Sequence, residues 1–244
     1  MSSKEKIPIQ NGAENEEVEV VVSLPMEDTE SFPEHPFKIF DNEEMDLMVE
    51  SVLDHGLVQP IIVRKMPSGK YQIISGHRRK HAYERAGLKY IPAIVKELTD
   101  DEAVILMVDS NMQREHLLPS EKAFAYRMKL EAMKHQGKVW DTTCTQVGHK
   151  LGNKKSIQVL AEEVGESKSQ IQRYIRLTYL IPELLQMVDD SKMAMSPAVE
   201  LSYLKEDEQE IVADNIKDLE CTPSHPQTRI LKSKSLAGEL TPDF

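Results

Sequence analysis

Two short segments carry side chains whose types and spacing could do chemistry, Ser75-Gly76-His77-Arg78-Arg79 and Asn111-Met112-Gln113-Arg114, and that chemistry is the binding of an anion. A strand that ends at Gly76 and passes directly into a helix leaves unpaired backbone N–H groups at the helix N-terminus, and glycine lets an anion approach them. Arg78 and Arg79 add two donor forks. Asn111, Gln113 and Arg114 close a later helix, where a polar cluster is free to face a ligand. Taken alone, a Gly-x-Arg-Arg is more often a surface ion-pair cluster than a phosphate site, so the reading leans on the rest of the chain.

A second constellation lies at about 156–180. Ser156 to Glu163 reads as a first helix with Ala161 small enough for a close helix crossing, and Gly165 makes a turn. Ser167 and Gln170 form a capping box, and Ile171, Tyr174 and Ile175 supply the inward face of a second helix reaching about Leu180. Lys168, Ser169, Gln172 and Arg173 are left outside, near the end of a recognition helix that reaches base edges and phosphates. Glutamine there suits adenine, and arginine suits guanine or phosphate. The DNA-contacting set is therefore Ser167, Lys168, Ser169, Gln170, Gln172, Arg173 and Arg176. The competing reading is a plain helical hairpin with a solvated basic face, but alanine, glycine and isoleucine all fall at the offsets of a helix-turn-helix.

Charge supports the reader. The formal net charge is −11, yet residues 1–35 and 182–244 each contribute −7, whereas 144–181 carries six basic against three acidic residues. The only basic excess sits where phosphate contacts would need it.

Elements that position these groups follow from period and punctuation. Residues 1–35 are acidic and aperiodic and read as a disordered leader. Asp41 with Glu44 reads as a capping box before Met45, Met48, Val49, Val52 and Leu53, which repeat at helical spacing until Gly56. Gln59 to Arg64 and Tyr71 to Ser75 flank a turn at Pro67-Ser68-Gly69-Lys70 and read as a β-hairpin. A short helix from about Arg78 to Ala86 and a strand at 90–97 follow. Thr99-Asp100-Asp101-Glu102 opens a helix to about Met112, and Pro119-Ser120-Glu121 opens another ending at Gly137. Residues 138–155, with Trp140, read as a connector. From 156 to about 219 the pattern is helical. Pro223, Pro226 and Pro242 mark a loose tail with one short turn near Leu231.

Three segments in order sharpen the case: Gly56-Leu57-Val58-Gln59-Pro60-Ile61-Ile62-Val63-Arg64, then Gly76-His77-Arg78-Arg79 with Ala86-Gly87, then Asn111-Met112-Gln113-Arg114-Glu115-His116-Leu117-Leu118-Pro119. The series resembles the ParB-type partition protein family over roughly residues 36–204. The resemblance implies an α+β, ParB/sulfiredoxin-like N-terminal domain that binds CTP, followed by an all-α helix-turn-helix domain that binds a centromere-like DNA site. On that basis Gln59, Gly76, His77, Arg78, Arg79, Asn111, Gln113 and Arg114 form the nucleotide set. Double-stranded DNA, a partition ATPase and self-association on DNA are the partners it implies.

Two departures bear on catalysis. His77 stands where the family's Gly-Glu-Arg-Arg has glutamate, and Ser110 stands where Glu-Asn-x-Gln-Arg has glutamate. Mg2+ wants carboxylate oxygen, and neither imidazole nor hydroxyl replaces it well, with Asp109 or Glu115 the stand-ins. The family's earlier arginine-bearing segment is shortened here to His35-Pro36-Phe37-Lys38. No catalytic residue is assigned, and with glutamate missing at both positions hydrolysis of CTP is expected to be slow or absent. His77 and His81 are four apart but have no third ligand at suitable spacing, so no metal site is expected of them. A sulfiredoxin-like reductase would need a cysteine beside the arginines, and Cys144 and Cys221 are distant in sequence.

The expected organisation is a leader at 1–35, a nucleotide-binding domain at 36–137, a connector at 138–153, a helix-turn-helix domain at 154–204 and an acidic helix with a loose tail at 205–244. The expected function is partition-type, CTP-modulated binding of a DNA site in plasmid or chromosome segregation. Rival readings are a transcription regulator of a mobile element without nucleotide control, and a CTP hydrolase or nuclease of the same fold. With no run of about 18 apolar residues and no signal-peptide pattern, the expected location is cytoplasmic and nucleoid-associated, and the two cysteines read as free thiols. Residues 205–244 offer no long apolar stripe for a dimer core, which predicts a monomer or weak dimer without ligand.

Overall fold

The computed structural model describes residues 20–56, 59–143 and 156–240. The chain forms two compact units, Met1–Asn111 and Met112–Phe244.

The first unit is built on a five-stranded mixed sheet. Its strands are β1 (Val21–Pro25), β2 (Thr29–Glu30), β3 (Ile61–Lys65), β4 (Tyr71–Ser75) and β5 (Tyr90–Val95), in the order β1-β5-β3-β4-β2. β3 and β4 are the expected antiparallel hairpin, while β3 and β5 run parallel and pair Ile61 with Ala93. That parallel pairing requires a crossover, which α2 (His77–Arg85) supplies. Ile61 and Val63 of β3, Ile73 of β4, and Ile91 and Ala93 of β5 alternate onto one face and meet Met45 and Val52 of α1 (Glu43–His55) and Ala82 and Tyr83 of α2. Burying each large aliphatic chain there contributes about 1.5–3 kcal/mol. α3 (Asp100–Met112) closes the unit; its Ala103, Met107 and Val108 are buried.

The expected leader boundary at residue 35 is corrected. Residues 21–25 and 29–30 are strands, and Leu24, Thr29 and Phe32 are buried, because an alternating Val-Val-Ser-Leu segment pairs along β5 despite its acidic surroundings. The part of that leader before residue 20 lies outside the described residues. The cap of α1 also moves by one: Asn42, not Asp41, accepts the backbone N–H of Met45 at 3.1 Å. Asp41 instead meets His81 at 2.8 Å and Arg85 at 3.2 Å. The His81 hydrogen bond, against the opposing cost of desolvation, holds the Asp41 carboxyl below the usual carboxylate range.

In the second unit the described elements are all helical: α4 (Pro119–Thr143), α5 (Ser156–Val164), α6 (Lys168–Leu177), α7 (Pro182–Asp189), α8 (Met195–Leu201), α9 (Glu206–Leu219) and α10 (His225–Ala237). Tyr126 and Leu130 of α4 pack with Leu160, Ala161 and Ile171, and Ala123 joins a second core around Leu177, Leu184, Ala198, Leu201 and Ile216. α4 thus belongs with the helices, which corrects the expected domain boundary at 137. Ion pairs pin it there: Lys129, buried, lies 2.7 Å from Glu163, Lys122 lies 3.1 Å from Glu166, and Ser120 donates to Asp189 at 2.6 Å. α4 also runs past Gly137, so residues 138–143 are helix; the rest of the expected connector, with Cys144, lies outside the described residues.

The tail reading is corrected too. Residues 225–237 form a 13-residue helix opened by a Ser224–Gln227 capping box with Pro226 in its first turn, and Gly238 ends it in the left-handed region. None of the described helices is long and apolar enough to cross a membrane.

Candidate functional site

In the first unit β4 delivers the chain to Gly76, which caps α2 with φ +107° and ψ 23°. A side chain there is excluded: a Cβ would lie 2.6 Å from Cγ2 of the fully buried Ile61 and 3.3 Å from Cζ of Arg79. The glycine therefore does two things at once, turning the strand into the helix and letting β3 lie against the turn. The helix N-terminus presents the N–H groups an anion would need.

The arginines are already engaged. Arg79 donates through Nη1 to the carbonyl oxygens of Gln59 at 2.7 Å and Pro60 at 2.6 Å, and burial holds its pKa below the ordinary arginine value. Arg78 bonds Glu44 of α1 at 3.0 Å, with Glu44 largely exposed. An exposed ion pair of that kind is worth about 0–1 kcal/mol, so Arg78 is available to a stronger anion, whereas Arg79 orders the turn before β3. The side chain of Gln59 is exposed, and its role here is carried by its carbonyl.

Of the expected nucleotide set, His77 has its side chain turned into the protein. Its ring is buried, lies against His35 at a tilt of 44° with centroids 3.9 Å apart, and its Nε2 accepts from the backbone N–H of Phe32 at 3.5 Å. Burial, then the neighbouring His35 and Lys80, lowers its pKa to about 3, so the ring is neutral near pH 7. The side chain at the family's glutamate position thus anchors the segment around Phe32. At the end of α3, Asn111 donates to the carbonyl of Met107 at 2.8 Å, and Ser110 donates to the same carbonyl at 3.0 Å. With imidazole buried at one glutamate position and a hydroxyl turned to the backbone at the other, the residues present do not fit Mg2+. Among the described residues no cluster of three or more His, Cys, Asp or Glu is placed to hold a metal ion.

Gln113 and Arg114 belong to the second unit. Gln113 is exposed, while Arg114 lies 4.0 Å from the buried carboxylate of Glu121, which also caps α4 by accepting from Leu118 N at 2.8 Å. Glu121 was visible as a helix opener but not as a partner for Arg114.

Further along that unit, α5, the turn at Gly165 (φ +69°) and α6 form a helix-turn-helix. Ser167 accepts from Gln170 N at 3.1 Å, which sets the start of α6. Ile171 and Leu177 are buried, and Lys168, Ser169 and Gln172 are exposed. Lys168 donates to Gln158 of α5 at 3.0 Å, a contact both partners can leave at little cost. Ser167 is spent on the cap and Gln170 is half-buried.

Two arginines of the expected DNA set are held by the protein itself. Arg173 is half-buried and donates to Ser196 Oγ at 2.7 Å. Arg176 is turned inward: it donates to Ser202 Oγ at 2.9 Å and to the Ser202 carbonyl, and its guanidinium lies 3.8 Å from the ring centroid of Tyr203. The Arg176 side chain thus ties α6 to Ser202 and Tyr203. The partners Ser196, Ser202 and Tyr203 carry no local motif that could have flagged them.

Residues 10–112 match the ParB N-terminal domain and residues 145–224 the ParB HTH domain. A nucleoid occlusion protein of Listeria innocua is 31% identical over 93% of this chain and 74% of that protein. The chain belongs to the ParB family. The chromosome-partitioning protein Spo0J of Thermus thermophilus is 33% identical over 76% of this chain and 61% of that protein. Among solved structures, a pNOB8-like ParB-N domain matches over 90% of this chain and 94% of that one at 17% identity, with a TM-score of 0.50, a likeness of fold. The ParB fold here is an α+β N-terminal domain followed by an all-helical helix-turn-helix domain.

Proposed function

We propose that this ParB-family chain binds a specific duplex DNA site through α6 and serves chromosome or plasmid segregation, with a cytidine nucleotide acting on the N-terminal unit. The observation that carries the DNA reading is the solvent-facing edge of α6. Lys168, Ser169 and Gln172 are exposed on a helix whose opposite face is locked into the core, in the one part of the chain with a basic excess. Names of relatives agree with it, since one acts in nucleoid occlusion and another in chromosome partitioning. DNA of this kind places the protein on the nucleoid.

Lys168 and Gln172 carry different loads. Gln172→Ala is expected to lower affinity for the selected site by about 10–100-fold, corresponding to a lost base contact of about 1–3 kcal/mol. Lys168→Ala is expected to weaken selected and random DNA alike and to reduce the slope of log K against log salt by about one. Binding titrations at several salt concentrations check both. Equal affinities for both variants and the parent protein would remove α6 from the interface.

The nucleotide is supported by the N-terminus of α2 and by Arg78, which is tied to the exposed Glu44. A triphosphate carries more charge than that carboxylate and would draw the arginine away from it. Calorimetry with CTP, with and without DNA, is expected to show binding, and phosphate release to be slow or absent, because His77 and Ser110 supply no carboxylate. Absence of heat with any nucleoside triphosphate would leave DNA binding without nucleotide control.

A further inference from the structure

The helix-turn-helix domain shared with the family ends at residue 224, and α10 begins at His225. It packs against α8, with Thr228 and Ser235 buried; Ser235 donates to the carboxylate of Glu208. One residue of this helix shares an aromatic ring with α6. Nζ of Lys232 sits 3.5 Å from the ring centroid of Tyr203, and the guanidinium of Arg176, from α6, sits 3.8 Å from the same ring. Lys232 is held in place by Glu200 at 2.8 Å. Arg176 in turn bonds Ser202, the residue before Tyr203. One turn earlier, Arg173 is tied to Ser196 at the start of α8. The orientation of α6 is thus set by α8 at two points, and the second is fixed from outside by α10.

We propose that α10 is part of the DNA reader and that Lys232 and Tyr203 are positioning residues for α6. The inference rests on α6 being the reading helix. A cation over an aromatic ring is favoured by the ring quadrupole, and removing Lys232 frees the ring to tilt and Arg176 to follow. Base readout tolerates little displacement, since each hydrogen bond to a base edge has a fixed direction, whereas phosphate attraction survives a small tilt. Lys232 is not itself placed as a phosphate contact. It is already paired with Glu200, whose carboxylate would repel a phosphate at that spot.

The test uses the full chain with three substitutions, Lys232→Met, Lys232→Arg and Tyr203→Phe. It compares affinity for the selected DNA site with affinity for random duplex over a range of salt. Lys232→Met is expected to lose about tenfold in the ratio of selected to random binding, with random binding within about twofold of the parent and the salt slope unchanged. Lys232→Arg and Tyr203→Phe, which keep the cation and the ring, are expected to retain the parent ratio. Hydrogen exchange of the last turn of α6 should quicken in Lys232→Met alone, and this arm needs no DNA. An unchanged ratio in Lys232→Met overturns the proposal while leaving α6 as the reader. So does a parallel loss on selected and random DNA with a smaller salt slope, which would make Lys232 a direct phosphate contact. A parent protein with no preference for any DNA overturns the reader itself, and the positioning role with it.

Discussion

Gly76→Ala is expected to destabilise the N-terminal unit by about 2–5 kcal/mol, combining the left-handed penalty of about 1–2 kcal/mol with overpacking of about 1–3 kcal/mol. The backbone at Gly76 has φ +107°, and the added Cβ would stand 2.6 Å from Ile61 Cγ2 and 3.1 Å from Ile61 Cβ. Ile61 is fully buried in β3 and branched at Cβ, so it cannot swing aside without moving the strand. Gly69→Ala provides the control, because Gly69 also has positive φ (+89°) but nothing within 4 Å of the added carbon. That variant is expected to lose only about 1–2 kcal/mol, the conformational part. Denaturant unfolding of both variants separates the terms; equal losses would mean that the contact with Ile61 relaxes freely and that the glycine serves the turn alone.

The second large effect is acid lability of the same unit. His77 has a folded-state pKa lowered to about 3 against an ordinary value of 6.5, so between those limits the unfolded chain binds more protons than the folded one. Stability from burying neutral His77 is complete above about pH 6.5 and is lost as pH falls toward 3, at up to about 1.4 kcal/mol per pH unit. From pH 7.5 to pH 5 the parent protein is expected to lose about 2 kcal/mol more than His77→Gln, which removes the titrating group. His35, whose ring lies against His77, and Lys80 both disfavour the added proton, and no carboxylate is among the causes that set this pKa. Urea midpoints for the two proteins between pH 7.5 and 5 give the result. Parallel curves would show that His77 takes up its proton as freely when folded as when unfolded.

Much of this was legible in the chain because local pattern and tertiary packing agree. The hairpin Ile61–Lys65 and Tyr71–Ser75, the entry to α2 at Gly76 and the Ser167 cap of α6 are each set by short-range chemistry, and each stands where the residues place it. β1 was hidden by its neighbourhood: a five-residue edge strand gains its order from pairing along β5, and acidic residues before it resemble a solvating leader. α10 was hidden for the opposite reason. Its buried positions are Thr228 and Ser235, so no apolar period announces it, and Pro226, which reads as a breaker, sits in the first turn where proline is tolerated.

The candidate sites divide along the same line. Residue types revealed which side chains could bind an anion or a base, but not which were already spoken for. Arg79 and Arg176 look from the sequence like free cations, and only the fold shows backbone carbonyls and an aromatic ring taking them up. His77 is the sharpest case, since a polar residue inside a polar motif turns out to be an internal anchor whose partner, His35, lies 42 positions upstream. Long-range pairing of that kind leaves no spacing to read. Lys168 and Gln172 remain exposed because the opposite face of the same helix carries Ile171 and Leu177, and the 3.6-residue period made that division readable in advance.

The central claim is that α6 reads a particular DNA sequence, and the most direct measurement is selection of genomic fragments on the purified protein at moderate salt, followed by sequencing and competition against random duplex. The claim predicts enrichment of a discrete site whose affinity exceeds that for random DNA by about 10³-fold or more, with the margin reduced in Gln172→Ala. Recovery of fragments in proportion to their length, with no sequence preferred over random duplex, would contradict it.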